Sequence, residues 1–247
     1  MLILTFLTTI FHRPVLAENS TLPFQQGEHL RYNLFWEFIR VGEAVMVVLP
    51  NTFAAGKEVR RFNLRIRTTA LIDLIYKVRS EFEALSNMEL SRSMGYRKIQ
   101  SEAGTHKDET VHFNWQNLTA GHINNGRYTA VTPIQPGTFD PLGIFYFLRT
   151  VNLNDIDHFE RPVSDGKKCI VSRLVVTGKD RIRWGDSFHD TYVIRSHMKG
   201  IEGLFEKSQD SHYTLWLSAD IKRTPLVIEI DMFFGTIVCR LVPPSSG

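Results

Sequence analysis

The side chains able to do chemistry are scattered along the chain, and their spacing selects no reaction. Nine histidines are present, yet there is no His-Glu-x-x-His stretch and the two cysteines form no cluster, so no metal site is expected. His106, Asp108 and His112 form the nearest acid and histidine grouping, and His189 with Asp190 sits in a predicted turn. Both groups read as hydrated surface. No Gly-x-Ser-x-Gly elbow marks a nucleophile. A carboxylate pair for glycoside hydrolysis would have to come from Asp165, Glu202, Asp210 and Asp220, whose spacing singles out no two of them. The loop Gly200-Ile201-Glu202-Gly203 lacks the Lys-Ser/Thr ending and the following helix of a phosphate cradle. No catalytic residue and no cofactor are expected.

Binding chemistry is better represented. Arg61, Arg65 and Arg67 lie two or four apart, so on a strand they share one face, opposite Phe62, Leu64 and Ile66. Such a stripe suits phosphate or carboxylate head groups, or else a solvated face whose charges are met by Glu81 and Glu83 across the next strand. The run Ala70-Leu71-Ile72-Asp73-Leu74-Ile75-Tyr76 is apolar on nearly every side. It reads as a loop touching a membrane or closing over an acyl chain, or as a buried connector capping the sheet. Trp36, Trp115, Trp184 and Trp216 fall on predicted strands, where core packing is the default and ligand stacking the rival.

These residues need a scaffold, and the pattern for one is clear. Leu30, Tyr32, Leu34, Trp36 and Phe38 alternate with Arg31, Asn33, Phe35, Glu37 and Ile39, the period of a strand with one face buried. Strands are expected over Glu28 to Arg40, Glu43 to Leu49, Glu58 to Thr68, Tyr76 to Leu85, Leu90 to Gln100, Glu109 to Trp115 and Thr119 to Ile123. The turn Asn124-Asn125-Gly126 supplies the positive φ angles of a two-residue hairpin, so Arg127 to Val131 returns antiparallel. Further strands fit Phe159 to Val163, Lys168 to Val176, Asp180 to Trp184, Thr191 to Ser196, His212 to Ser218, Pro225 to Asp231 and Thr236 to Val242. Phe139 to Thr150 breaks the pattern: Asp140 as N-cap and Pro141 as the first helical residue start a helix with Leu142, Phe145 and Tyr146 on one face. The fold expected is mainly β, a large curved antiparallel sheet or partly open β-barrel of about a dozen strands, with one or two short helices at its mouth or inside it.

At 247 residues, with 43% hydrophobic, the chain can bury a sizeable core as one unit. Leu2 to Phe11 is apolar and is followed by Val15-Leu16-Ala17, the small-residue spacing of a signal-peptidase site. Residues 1–17 therefore read as a secretory signal and 18–247 as a single β-rich domain, placing the mature protein in the periplasm if the source is a Gram-negative bacterium. Removing Arg13 with that signal leaves 28 basic against 26 acidic side chains, a balance that implies no nucleic-acid partner. Cys169 and Cys239 read as two buried thiols or, in an oxidising compartment, as a disulfide.

Several separated motifs resemble one family. Gly27-Glu28-His29-Leu30-Arg31-Tyr32 with Trp36 and Val41-Gly42, the Asp140-Pro141-Leu142 helix ending in Leu148-Arg149, Asp165-Gly166-Lys167-Lys168, Gly200 to Phe205, Leu215-Trp216-Leu217-Ser218 with Asp220 and Arg223-Thr224-Pro225, and Phe234-Gly235 together resemble the bacterial domain-of-unknown-function family 3108. The resemblance spans roughly residues 24 to 242 and implies an exported envelope protein of β fold. It carries no catalytic residue to transfer. The expectation is a non-catalytic binding or carrier protein for an apolar or amphipathic ligand, a lipid or lipid-linked glycan. Leu71, Leu74, Ile75, Trp36, Leu142, Phe145 and Tyr146 would contact its apolar part, and Arg65 and Arg67 its head group. The alternatives are an envelope adaptor with a protein partner and peripheral membrane contact, or a hydrolase of envelope glycans.

Overall fold

The computed structural model describes residues 22–197, 212–232 and 235–244. Fourteen strands and two short helices follow one another: β1 (His29–Trp36), β2 (Ile39–Ala54), β3 (Lys57–Thr68), α1 (Ala70–Asp73), β4 (Val78–Asn87), β5 (Ser93–Glu102), β6 (Thr105–Asn114), β7 (Thr119–Asn124), β8 (Arg127–Pro133), α2 (Gly143–Arg149), β9 (His158–Ser164), β10 (Cys169–Trp184), β11 (Ser187–His197), β12 (His212–Ser218), β13 (Pro225–Met232) and β14 (Gly235–Leu241). They form one antiparallel sheet in the order β8-β7-β6-β5-β4-β3-β2-β1-β14-β13-β12-β11-β10-β9. Neighbouring strands are consecutive in the chain everywhere except at the β1–β14 seam, which joins the chain's two halves. The mainly β, partly open barrel expected from the alternation is the fold.

Several boundaries differ from the sequence pattern for identifiable reasons. The stretch Glu28 to Arg40 is two strands, because Glu37 adopts φ 54° and turns the chain at Glu37-Phe38. Lys168 to Val176 and Asp180 to Trp184 are one strand, β10, whose register shifts between Val176 and Gly178; the intervening residue is a bulge, not a break. The hairpin at Asn125-Gly126 has both residues at positive φ, 48° and 77°, as its sequence requires.

The sheet stays open between β8 and β9, and the chain itself bridges that gap. Residues 134–140 cross it, with Ile134 N–H donating to Leu118 O at 2.8 Å, Ser93 N–H to Thr138 O at 3.0 Å, and Phe139 exchanging backbone bonds with Pro162 and Ser164 at 2.9 and 2.8 Å. The β9–β10 turn then reaches the inner face of β6 and β7. Asp165 Oδ1 closes this turn by accepting from Lys167 and Lys168 N–H, both at 2.9 Å. Gly166 lies so close to Val111 and His122 that a Cβ there would stand 2.8 Å from the valine, and its carbonyl accepts from Thr132 Oγ1 at 2.8 Å. Lys167 completes the contact at the buried Glu109, 2.7 Å away.

Helix α2 lies inside the curve. All of its residues except Phe147 are buried, and Tyr146 stacks on Phe62 with ring centroids 3.9 Å apart. The regular helix starts two residues later than Pro141 suggests, with Leu142 in place of Asp140 at its N-cap, and Asp140 holds the turn that leads into it: Oδ1 accepts from Leu142 and Gly143 N–H at 2.9 and 2.8 Å. Gly143 is required by that approach, since a Cβ would meet Asp140 Oδ2 at 2.7 Å. At the other end the buried Arg149 pairs with Glu28 and donates to the Pro23 and Lys222 carbonyls, a cation placed where the helix dipole favours it. Both cysteines are free thiols, Cys239 buried and Cys169 half-buried.

Candidate functional site

Leu142, Phe145 and Tyr146 are buried in the interior, packed into the core cluster. Beside Phe145 the remaining gaps are about 10 and 30 Å³, room for about one water at most. Their helical face is spent on the core, not on a cavity. The reading of α2 as a plug therefore describes its position, and the ligand-facing reading of these three side chains does not.

Space opens instead at one rim of the sheet, where the β1–β2 turn, the β3–β4 connection and the end of β5 come together. A pocket of about 410 Å³ lies there, walled by Leu34 and Trp36 of β1, Val41 of β2, Ile66 to Thr68 of β3, and Met232 and Ile237 across the β1–β14 seam. Ile72, Ile75 and Tyr76 cover it from the α1 segment. Its few polar groups are Arg67, Thr68, Tyr76 and Glu102, and Tyr76 Oη donates to Glu102 at 3.3 Å. Trp36 owes its position to Gly235: the indole Nε1 is 2.6 Å from where a Cβ on that glycine would stand, and Gly235 holds φ 125°. A volume of this size falls in the ordinary range of ligand sites.

The cover is a built element. Thr69 caps α1, accepting from Ile72 N–H at 3.5 Å, while its own N–H donates to Val41 O at 3.0 Å. Asp73 takes Arg79 and Thr68 on its carboxylate, and Thr68 Oγ1 accepts from Val78 N–H at 2.9 Å. The hydrogen bond from Arg79 is the main reason that the Asp73 carboxyl sits below the usual range. So anchored, the segment leaves Leu71, Leu74 and Ile75 in solvent, the last two 82% and 84% exposed, and Phe38 on the neighbouring turn is 87% exposed. A buried connector would show the opposite.

A second concavity, about 540 Å³, runs across the outer face of β1 to β5 and shares Ile66 and Arg67 with the first. Val45, Val47 and Ile99 form its floor, and Arg31, Arg65, Arg67 and Arg79 stand around it with Glu43 and Glu81. The arginine stripe is paired as a solvated face would be: Arg61 with Glu83 at 2.7 Å and Arg65 with Glu81 at 3.0 Å. Arg67 instead crosses to Glu43 on β2. Burial acts to raise the Glu43 pKa, and hydrogen bonds from Arg67 and Arg31 more than reverse it, holding the carboxyl below its ordinary value.

Of the residues singled out by sequence, the rim pocket gathers Trp36, Arg67 and Ile75, with Leu71 and Leu74 on the same cover; Arg65 lies in the outer groove. Ile72 belongs to the Ala70 to Tyr76 run already read as closing over an acyl chain, whereas Val41, Met232 and Ile237 were not legible as pocket residues, because separate parts of the chain bring them together. The carboxylates considered for hydrolysis have structural partners where they are described: Asp165 closes its turn, and Asp220 accepts from Ser218 Oγ at 2.7 Å and Lys222 N–H at 3.0 Å. Glu202, Asp210 and the Gly200 loop lie outside the described residues. Asp108 is engaged by Arg97 at 2.7 and 3.0 Å, and among the described residues no group of histidine, cysteine and carboxylate side chains is placed to hold a metal. Nor is any described helix long and apolar enough to cross a membrane.

The architecture is similar to a crystal structure of a β-barrel-like protein of domain of unknown function DUF1849 from Brucella abortus. The two match with a TM-score of 0.56 over 87% of this chain and 95% of that one, at 10% identity, a likeness of fold alone. No curated protein matches the sequence. The profile of the family described as protein of unknown function (DUF3108) matches residues 31–242, most of the sheet from β1 to β14 with its seam, and the chain belongs to that family.

Proposed function

We propose that the protein is a non-catalytic binding or carrier protein of the periplasm whose rim pocket holds the apolar part of a lipid or lipid-linked glycan. The observation that carries this reading is the 410 Å³ cavity walled by aliphatic and indole side chains under a cover with exposed leucines. Burial of apolar surface contributes about 0.8 kcal/mol per methylene, so even six methylenes in such a space would contribute about 5 kcal/mol before the costs of association. The signal-like residues 1–17 support the compartment.

The test is native mass spectrometry of mature protein taken from the periplasm, with extraction and identification of whatever is bound. A stoichiometric lipid, lost in a V41W variant that fills the pocket, is expected. A bare mass in both, with the variant folded, would overturn the reading. A second reading rests on Phe38, Leu71, Leu74 and Ile75, whose exposure around the pocket mouth suits an adaptor docking on an apolar partner or resting on a membrane surface.

A further inference from the structure

Glu43 is the carboxylate on which three guanidiniums converge. Arg31 reaches it at 3.2 Å, Arg40 at 3.9 Å, and Arg67 is in direct contact. Elsewhere on this face the pairing is one to one, as in Arg61 with Glu83 or Arg65 with Glu81. One carboxylate offsets one guanidinium, so this cluster carries a surplus of about two positive charges. The Glu43 side chain is 12% exposed, whereas those of Arg31, Arg40 and Arg67 are 56%, 50% and 63% exposed. Three guanidiniums bring about fifteen N–H donors against about four acceptor sites on a carboxylate, and planar forks of this kind match carboxylate or phosphate oxygens.

The position of the surplus is as informative as its sign. Arg67 lines the apolar rim pocket and the outer groove alike, so a molecule with its tail beside Trp36 and Ile72 would emerge at Arg67. We infer that the ligand is an anionic amphiphile, an alkyl or acyl chain ending in a carboxylate or phosphate, with its head group on the Arg31, Arg40 and Arg67 cluster. This rests on the carrier reading and narrows it: a neutral lipid would leave the surplus unanswered. Exposed charges are screened by salt, so the preference for an anion weakens as ionic strength rises.

The experiment is equilibrium dialysis of the mature protein with hexadecanoate, hexadecyl phosphate and hexadecanol, each below its aggregation threshold, and with inorganic phosphate alone. At low salt the two anions are expected to bind at least tenfold more tightly than the alcohol, with the gap narrowing at 0.5 M salt. R67Q and the double variant R31Q/R40Q should shrink that ratio toward one, and R97Q, whose arginine serves Asp108, should not alter it. Equal binding of all three amphiphiles overturns the head-group inference and leaves the pocket reading standing. Phosphate binding as tightly as hexadecyl phosphate reassigns the cluster to a free anion and also overturns it. No binding of any amphiphile overturns both.

Discussion

Glu109 is the place where one substitution should report most directly on how this sheet is closed. Its carboxylate is buried, with Lys167 Nζ at 2.7 Å, Lys98 Nζ at 3.3 Å and His122 Nε2 at 3.3 Å. Burial acts to raise its pKa. The hydrogen bond from Lys167 and the charge of Lys98 prevail and pull it from 4.5 to about 2. At about 1.4 kcal/mol per pKa unit, that depression corresponds to about 3 kcal/mol of stability at neutral pH. E109Q keeps the shape but turns a charge acceptor into an amide facing two ammonium groups. It should lose about 3 kcal/mol at pH 7, a large share of a typical domain's stability, and lower the urea midpoint by roughly 1 M. The folded-state pKa is depressed, so the contribution is complete above about pH 4.5 and lost as pH falls toward 2. Urea denaturation of both proteins from pH 7 to pH 3 should therefore show wild type converging on E109Q as the solution acidifies. A variant within about 1 kcal/mol of wild type at pH 7, or a difference constant between pH 5 and pH 3, would refute the assignment of Glu109 as the anion that latches the β9–β10 turn.

Three further outcomes are expected. Asp140 has the opposite sign from Glu109: burial pushes its pKa up to about 6, so its contribution is complete below the unfolded value near 4 and lost as pH rises through 6. D140N should accordingly be more stable relative to wild type at pH 7 than at pH 4, by up to about 3 kcal/mol, as read from the difference in urea midpoints. R149M should cost about 3–5 kcal/mol because it strands Glu28, and the double variant R149M/E28Q should recover part of that loss in the same assay. G235A should displace the Trp36 indole, which a Cβ would approach to 2.6 Å; a weakened affinity for hexadecanoate with a shifted tryptophan emission is the expected signature.

What the sequence made legible was whatever is local. His212 to Ser218 was bounded correctly as β12 because its alternation is short, aromatic and ended by Asp220, which engages Ser218. The Asn125-Gly126 hairpin was equally plain, since residue type alone dictates its backbone. The Glu37 turn was hidden because the apolar alternation runs straight through it, and Phe38, in phase with the core face, ends in solvent. On β5 the pattern was misleading in a more instructive way. Lys98 and Gln100 are buried and Ile99 faces the outer groove, the reverse of what period-two reasoning assigns. The inner face is polar there because Glu109 of β6 meets both Lys98 and Lys167 of the β9–β10 turn. That turn lies about 70 residues further along the chain, so no window around Lys98 contains the reason for its burial.

The same non-locality explains why the open space lies at the rim. Inside the curve of the fourteen-stranded sheet lies α2, which Asp140 at the turn before it and the Arg149 pair fix at both ends. At the rim itself Phe38, Leu71, Leu74 and Ile75 are nevertheless left in water, each forgoing about 1.5–3 kcal/mol of burial. Poor packing does not account for the last three, since Thr69, Asp73 and Arg79 hold their segment in a defined conformation. Exposed apolar groups on a rigid support, beside a pocket of their own polarity, are the arrangement on which the proposed binding role rests.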